Sequence, residues 1–339
     1  MLNEVKIMNE RKKMILFSII NSYVNLGEPI GSKSLLNEYS LDISSATIRN
    51  EMSTLEKMGL LEKAHTSGGR YPSDKGYRLY VNNLLENSLN IREDEDLERI
   101  LDKRYGNVSK IVETATLLLA KMTNLTAVSY TIRNNITKVI NLEILKIDPN
   151  VLLFIVVYDN ASIISDRIYM VDEINDDELA NISTTLKESI EGESLKDISK
   201  IFDRLKKNGF KKYENLLDIL EKKINNDSLS DLTKEVIIKG LGNIFNFKEF
   251  EDPIKAKEFI KIFDSKERIW ELIENSDSDL KITIGDENEI NELKDNTIIT
   301  SHFNYDKDIV GQIGIIGLTR IDYKEVISDI KLISDLLSK

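Results

Sequence analysis

The sequence of 339 residues predicts an α+β protein with more than one domain, and three observations lead to this prediction. A chain of this length exceeds one typical hydrophobic core. Apolar residues recur at helical spacing before residue 125, whereas runs rich in Val, Ile and Tyr follow from there. A helix-rich stretch, roughly 193–280, then interrupts the strands, which indicates an inserted domain.

Three helices separated by short turns open the chain. Apolar spacing predicts the first helix over 9–26, and Gly27 ends it. A turn containing Gly and Pro, 27–31, precedes a short helix over 33–39. Ser44 or Ser45 can cap a third helix, which Gly59 ends. This order of helices and turns is the core of a helix-turn-helix domain.

The third helix has two different faces. Ile48, Met52 and Leu55 form an apolar face that we expect to lie in the core. The opposite face is small, polar and partly cationic, which suits the DNA major groove, because Arg and Asn match the edges of guanine and adenine. From this helix alone, an ordinary amphipathic surface helix is the alternative. The expected base-reading residues are Ser45, Thr47, Arg49 and Asn50.

The residues after the third helix predict a β-hairpin. Residues 60–65 can form a strand, Thr66–Arg70 is a glycine-rich basic tip, and Tyr71–Ser73 leads towards another helix. A hairpin in this position is the wing of a winged helix-turn-helix domain, and its tip can contact the DNA backbone or minor groove. A solvated hairpin without a DNA contact is the alternative. The expected phosphate or minor-groove contacts are Lys57, Arg70, Lys75 and Arg78.

The distribution of charge agrees with this expectation, although the whole chain carries a net charge of −12. Residues 1–85 contain 11 Lys and Arg against 9 Asp and Glu, which leaves 35 against 49 in the remainder. Surface charges are screened beyond about 8–10 Å at physiological salt, so attraction to phosphate is local. A mildly basic segment joined to an acidic one can therefore bind DNA, with weak long-range steering.

The rest of the chain changes between helical and strand patterns. A helix is predicted over 75–89, then a charged connector over 92–99 that marks a domain boundary, and another helix over 107–124. Four strands with short turns then indicate one antiparallel sheet; they are Thr126–Arg133, Lys138–Leu145, Val151–Tyr158 and Ser162–Val171. After a helix over 172–190 and the helix-rich stretch, the predicted elements are strands at 280–284, 297–303 and 309–319 and a final helix at 323–337.

Composition excludes several classes of function. No apolar run approaches the roughly 18 residues that would cross a bilayer. Met1–Met8 lacks the features of a secretory signal, so we expect a cytoplasmic protein, with Met8 as an alternative start. The chain has no cysteine, which excludes disulfides, thiol catalysis and cysteine-based metal sites. Its two histidines, His65 and His302, are too few for most histidine-rich metal sites.

No enzyme motif is complete. The glycines at 311, 314 and 317 are spaced as in a phosphate-binding loop, but the Lys-Ser/Thr pair that holds phosphate and Mg²⁺ is missing, and they lie in a strand pattern. Such glycines more often mark bulges or close backbone packing. We therefore expect no enzyme activity, no cofactor and no metal site.

Several segments together resemble a known family. Gly31–Leu35, Ser44–Met52, Gly59–Leu61 and His65–Arg78 are similar to the HrcA family of heat-inducible transcription repressors. That family usually has Ala-Gly-Arg-Ile-Pro-Thr where this chain has Gly-Gly-Arg-Tyr-Pro-Ser, and Gly-Pro-Thr-Arg-Met-Asp-Tyr where this chain has Gly-Leu-Thr-Arg-Ile-Asp-Tyr, ending at residue 323. The further matching segments are Gly240–Ile244 and Ile284–Asn288, so the resemblance covers nearly the whole chain.

The resemblance implies a domain organisation and a function. It implies a winged helix-turn-helix domain at 1–88, a GAF-like α/β domain divided into 89–190 and 281–339, and an inserted dimerisation domain at 191–280. It also implies a homodimeric repressor that binds an inverted-repeat operator of chaperone operons and that the GroE chaperonin keeps active.

Two other functions remain open at this point. The GAF-like domain could bind a small-molecule effector and reorient the DNA-binding domains. The larger part of the chain could instead be an enzyme or an oligomeric scaffold with an incidental DNA-binding domain.

Overall fold

The computed structural model describes residues 8–39, 43–64, 68–87, 94–102, 108–133, 138–159, 163–171, 173–207, 210–226, 234–274, 279–306 and 309–339. Several features of the sequence analysis lie at least partly outside these ranges, among them the residues before Met8, the wing residues 65–67 and the first two residues of the charged connector, 92–93. The predicted helices over 75–89, 107–124 and 172–190, the strand from residue 162 and the helix-rich stretch also include residues outside them. Within the ranges, no helix is both long and apolar enough to cross a membrane.

The amino-terminal part of the chain folds as the predicted winged helix-turn-helix, here called the head. Asn9 begins the first helix by accepting a hydrogen bond from the Lys12 backbone amide at 2.9 Å. Gly27, with φ of 66°, ends this helix. The elements of the head are α1 (Glu10–Leu26), α2 (Ser32–Tyr39), α3 (Ser45–Lys57), β1 (Leu61–Lys63), β2 (Arg70–Pro72) and α4 (Asp74–Glu86).

One apolar core joins the helices of the head. The predicted core face of α3, formed by Ile48, Met52 and Leu55, is buried. It belongs to the same cluster as Ile19 of α1 and Leu35 of α2. The opposite face of α3 is therefore the side that the head presents outwards.

The remainder of the described chain forms two further units, each with its own sheet. Strands β7, β3, β10, β9 and β8 form a five-stranded antiparallel sheet in that order, and β4, β5 and β6 form a three-stranded antiparallel sheet. In chain order, the elements are α5 (Glu95–Ile100), α6 (Val108–Thr123), β3 (Thr126–Arg133), β4 (Val139–Asp148), β5 (Val151–Tyr158), β6 (Ile163–Tyr169), α7 (Asp176–Ile190), α8 (Leu195–Lys207), α9 (Glu214–Asn226), β7 (Lys234–Lys239), α10 (Pro253–Lys261), α11 (Lys266–Glu274), β8 (Leu280–Ile284), β9 (Asn296–Asn304), β10 (Ile309–Leu318) and α12 (Tyr323–Ser338).

Helices cover both faces of the five-stranded sheet, and this unit is here called the body. On one face α6 and α12 pack on the sheet, and their core is continuous with the core of the head. On the other face, Trp270 of α11 stacks at a tilt on Tyr130 of β3, with ring centroids 4.4 Å apart. Phe259 of α10 belongs to this second core. The continuous first core places the head directly against the body.

The three-stranded sheet and helices α7, α8 and α9 form the inserted unit, residues 138–226. Its helices pack on one face of the sheet, where Phe154 and Tyr158 of β5 are fully buried. The chain leaves the body after β3 and returns at β7, which pairs directly with β3. The inserted unit therefore extends from between two neighbouring strands of the body.

The expectation that four consecutive strands form one sheet is wrong. The first of them, β3, belongs to the body, where it pairs with β10 and β7. Ala127, Val128, Ser129 and Tyr130 of β3 are all buried, because both faces of this central strand are covered. In β5, by contrast, buried and half-buried residues alternate, which is the pattern of a sheet covered on one face only.

The expected boundary at residue 190 falls inside the inserted unit. Ile190 of α7 and Ile198 of α8 are buried in one core, so the chain on both sides of this boundary packs together. The helices α10 and α11, which the sequence grouped with α8 and α9, instead pack on the body. Helical spacing shows that a face is buried but does not identify the sheet that buries it.

Candidate nucleic-acid interface

The candidate DNA-reading surface is the outward face of α3. The Ser44 hydroxyl begins this helix by accepting the backbone N–H of Thr47 at 3.1 Å, and the hydroxyls of Ser44 and Thr47 lie 2.9 Å apart. Arg49 and Asn50 are exposed on the next turn. In the described part of the chain, neither side chain forms a hydrogen bond or an ion pair. Both side chains are therefore available to an incoming partner.

The other predicted residues of α3 lie at its two ends. The Ser45 hydroxyl lies 3.1 Å from that of Ser32, which joins the start of α3 to the start of α2. Lys57 is exposed in the last turn. The structure thus brings five of the predicted residues together on one helix: Ser45, Thr47, Arg49, Asn50 and Lys57.

The wing is fastened to this helix through Arg70. The Arg70 guanidinium donates to the Glu56 carboxylate of α3 at 2.7 Å and to the Gly68 carbonyl at 3.0 Å. The backbone of Arg70 also exchanges two hydrogen bonds with Ile30, in the turn before α2. Its side chain is 15% exposed. The expected DNA contact of Arg70 is untested, while its observed contacts fix the base of the wing.

Gly69 permits a close approach within the head. A Cβ atom at this position would lie 2.9 Å from the carbonyl oxygen of Pro29, so a larger residue would push the wing away from the turn before α2. The sequence analysis considered this glycine-rich tip only as a candidate DNA contact. The structure shows that Gly69 serves packing between the wing and the rest of the head.

The two predicted cations of α4 occupy different surroundings. The Lys75 ammonium lies 3.5 Å from the Met58 carbonyl, at the end of α3. Arg78 instead turns to the body, where it forms an ion pair with Glu287 and donates to the Ile282 carbonyl at 2.7 Å. The structure therefore does not bring Arg78 together with the residues on α3.

Sequence reasoning missed three residues of this region. Lys33 on α2 and Lys63 on the wing are exposed cations that can face phosphate, and lysine in a basic segment was the available signal. The third missed residue is Glu56, whose carboxylate accepts a hydrogen bond from the Arg70 guanidinium. No local pattern distinguishes it from the other carboxylates of α3, because its partner lies 14 residues away.

The Glu56 contact leads to a prediction about the wing. Replacing Glu56 with Gln should lower operator affinity about fivefold, equivalent to about 1 kcal/mol, because Arg70 loses its ionic partner and the wing loses its fixed orientation. Fluorescence anisotropy with a labelled operator measures this change.

Glu51→Gln is the matched control for that prediction. Glu51 lies on the same helix and pairs with Lys12 at 3.4 Å, so its replacement changes the charge equally without touching the wing. Removing a negative charge near DNA should by itself favour binding. Equal affinities of the two variants would show that the Glu56 contact does not position the wing.

The described residues show no metal-binding cluster. Across these ranges, no three side chains of His, Asp or Glu lie close enough together to hold a metal ion.

Two family models match the chain, each at one of the parts described above. The model for "Winged helix-turn-helix transcription repressor, HrcA DNA-binding" matches residues 8–85. The model for "HrcA protein C terminal domain" matches residues 109–327. The first covers the head and the second covers the body with its inserted unit.

Similar proteins cover nearly the whole length. A protein of Clostridium acetobutylicum described as heat-inducible transcription repressor HrcA is 36% identical over 98% of this chain and 97% of its own length. A protein of Clostridium tetani with the same description is 36% identical over 98% of this chain and 95% of its own length. A crystal structure described as a hypothetical protein aligns with a TM-score of 0.63 and 21% identity, covering 98% of both chains, and this likeness supports the fold. From these matches over both of its parts, we conclude that the chain belongs to the HrcA family.

Proposed function

We propose that this protein is a cytoplasmic, heat-inducible transcription repressor that binds an inverted-repeat operator of chaperone operons as a homodimer. The observation that carries the proposal is the outward face of α3, where Arg49 and Asn50 are exposed beside a wing that Glu56 fastens. Relatives over nearly the full length are described as heat-inducible transcription repressors, which supports this function over a small-molecule sensor.

We assign base reading to the polar residues of α3. An arginine or asparagine on a recognition helix can form paired hydrogen bonds with one base, which discriminates between sequences. The hydroxyls of Ser45 and Thr47 lie close to those of Ser32 and Ser44 at the start of the helix, and each can accept or donate a single hydrogen bond. Lys57, in the last turn of α3, and Lys75 of α4, which lies near that end, are assigned to phosphates.

We assign dimerisation to the uncovered side of the three-stranded sheet, here called the outer sheet face. Four residues of β5 point to this side, and none of them packs against a core cluster; they are Val151, Leu153, Ile155 and Val157. In the register of the sheet, Leu145 lies beside Leu153, Ile163 beside Val157, and Tyr169 beside Val151.

The exposure of this face supports an interface. Leu145, Ile163 and Tyr169 are 46%, 65% and 69% exposed, so the apolar stripe of β5 has apolar neighbours on both other strands. The same face also carries the exposed polar residues Glu143, Ser165 and Arg167. An exposed apolar stripe with a polar surround of this kind marks an interaction site in a folded protein. A second copy offers the same face, and two such sheets can pack face to face about a twofold axis.

Two heads related by such an axis would read two half-sites in opposite orientations. Selection of operators from random DNA tests the proposal directly. We expect recovered sequences with dyad symmetry and a constant spacing between half-sites. Recovery of a single unrepeated site, or of no preferred sequence, would overturn the homodimeric repressor.

We infer from the family resemblance that the GroE chaperonin keeps the repressor active, and the outer sheet face supports this. A monomer exposes that face until a second copy covers it, and an exposed apolar surface favours aggregation. Adding the chaperonin should therefore raise the soluble, operator-binding fraction. If both solubility and operator affinity are unchanged by the chaperonin, this part of the proposal fails.

We also infer that the body is the GAF-like domain of the family. Its five-stranded antiparallel sheet with helices on both faces supports this. The body contains the expected second part and, from the expected first part, α5, α6 and β3; it also contains α10 and α11. The inserted dimerisation domain would then be residues 138–226 rather than 191–280.

A further inference from the structure

The head is joined to the body by polar contacts from the first two turns of α4. The Asp74 carboxylate accepts the backbone N–H of Asp286 at 2.9 Å. Four residues later, Arg78 donates to the Glu287 carboxylate at 2.7 Å and to the Ile282 carbonyl at 2.7 Å. Both contacts cross from the DNA-binding domain to the edge of the body sheet.

Two tyrosines lie beside these polar contacts. Tyr77 of α4 packs on Tyr323 of the body, with ring centroids 5.6 Å apart, and they are 2% and 0% exposed. The Tyr323 hydroxyl donates to the Thr319 carbonyl at 2.6 Å and lies 2.8 Å from the hydroxyl of Thr297. We call this contact the interdomain joint, formed by Asp74, Tyr77 and Arg78 with Asp286, Glu287 and Tyr323.

Gly285 lets the two sides of the joint meet. Its backbone has a φ of 55°, and a Cβ atom there would overlap the Asp74 carboxylate. Burial raises the pKa of the Asp74 carboxyl above its ordinary value, although the hydrogen bond from the Asp286 backbone opposes the rise, and the charges of Asp286, Glu62 and Glu287 add to it. The joint is therefore close-packed and partly withdrawn from water.

The joint brings together three segments that lie far apart in the chain. The segment after the wing supplies Asp74, Tyr77 and Arg78; the segment at 284–288 supplies Asp286 and Glu287; and the carboxyl-terminal motif ends at Tyr323. DNA reading accounts for neither of the last two motifs. Their meeting point on α4 gives all three a shared structural role.

We propose that Arg78 is a positioning residue, which fixes the orientation of the head on the body through Glu287 and thereby sets the spacing between the two heads of the dimer. This inference rests on the proposed dimeric repressor. Arg78 is 16% exposed and commits three of its five N–H groups to the body. Moving it to a phosphate would leave the Glu287 carboxylate without this partner.

Operator binding by full-length variants separates positioning from phosphate contact. Arg78→Gln and Glu287→Gln should each weaken binding to the selected operator about fivefold, and the double variant should be no weaker than either single variant. Both variants should also discriminate less between spacings. The ratio of affinities between the operator with the natural half-site spacing and operators whose spacing is changed by one base pair should fall. The dependence of affinity on salt should stay the same, because no phosphate contact is lost.

A phosphate contact predicts the opposite pattern. Arg78→Gln would then weaken binding at every spacing and reduce the salt slope by about 1, while Glu287→Gln would not weaken binding. This result would overturn the inference. Glu289→Gln is the matched control, since Glu289 is an exposed carboxylate two residues from Glu287 and has no contact with the head in the described part of the chain.

A measurement without DNA keeps the inference separate from the proposed function. Because the chain has no cysteine, spin labels can be placed specifically through Lys63→Cys on the wing and Lys257→Cys on α10. We expect a narrow distance distribution that broadens in both Arg78→Gln and Glu287→Gln. Unchanged distance distributions in both variants would overturn the positioning role, even if operator selection succeeds as proposed. If the distributions broaden but operator selection recovers no sequence with dyad symmetry, only the proposed function is contradicted.

If either single variant fails to fold, the exchanged pair provides the test. Arg78→Glu combined with Glu287→Arg restores opposite charges across the joint. It should recover a narrow distance distribution and the natural spacing preference. A folded exchanged variant that still binds every spacing equally would contradict the role of the ion pair.

Discussion

Replacing Arg49 or Asn50 with Ala is expected to lower affinity for the operator by about 1–3 kcal/mol, while affinity for random DNA changes little. Both side chains are exposed at the centre of the outward face of α3, and in the described ranges neither has a partner to lose. Removal should therefore leave folding intact and affect only the bases that these side chains read. Competition binding with operator and random DNA measures the difference.

Lys57→Ala is the comparison for this prediction. A lysine that contacts phosphate should lower affinity for both kinds of DNA equally and reduce the salt slope by about 1. The Arg49 and Asn50 variants should thus lose preference for the operator over random DNA, whereas Lys57→Ala should lose affinity for both and keep the preference. If Arg49→Ala discriminates between sequences as well as the original protein does, Arg49 does not read a base.

Replacing Ile155 with Lys should disrupt the proposed dimer. Ile155 lies in the middle of the apolar stripe of β5, with Glu143 and Ser165 on the neighbouring strands, and packing two copies would bury the new ammonium groups at the interface. We expect the dimer dissociation constant to rise at least about 100-fold, equivalent to about 3 kcal/mol. Sedimentation equilibrium measures this constant, and operator affinity should fall with it because the two heads are no longer linked.

Phe245→Lys is the control for the dimer variant. Phe245 is 62% exposed and belongs to the body, so its replacement adds the same charge at an apolar surface residue outside the outer sheet face. This variant should remain dimeric. A dimeric Ile155→Lys protein, with an unfolding temperature like that of the original, would show that the interface lies elsewhere.

The head could be predicted from sequence because its signals are local. Ser44 begins α3 through a hydrogen bond to a residue three positions away, and Gly27 ends α1 by its own backbone conformation. Apolar spacing likewise identified Ile48, Met52 and Leu55 as the buried side of α3. Each of these features depends on a few consecutive residues.

The arrangement of the strands could not be predicted in the same way. Ser129 and Thr131 made β3 resemble the partly exposed strands that follow, yet β3 pairs with β10 across about 180 residues. Arg78 shows the same limit, because an arginine after a wing has the same local pattern whether it faces phosphate or a carboxylate. Its partner Glu287 is 209 residues away.

The position of β10 governs when the protein can fold during synthesis. This strand is the last in the chain, yet it lies at the centre of the body sheet between β3 and β9. Until β10 leaves the ribosome, β3 lacks one neighbour and its apolar residues lack their cover, so the nascent chain carries unpaired strand edges until then. The head, built from contacts near in sequence, can fold early, but it must await β10 before the body sheet is complete.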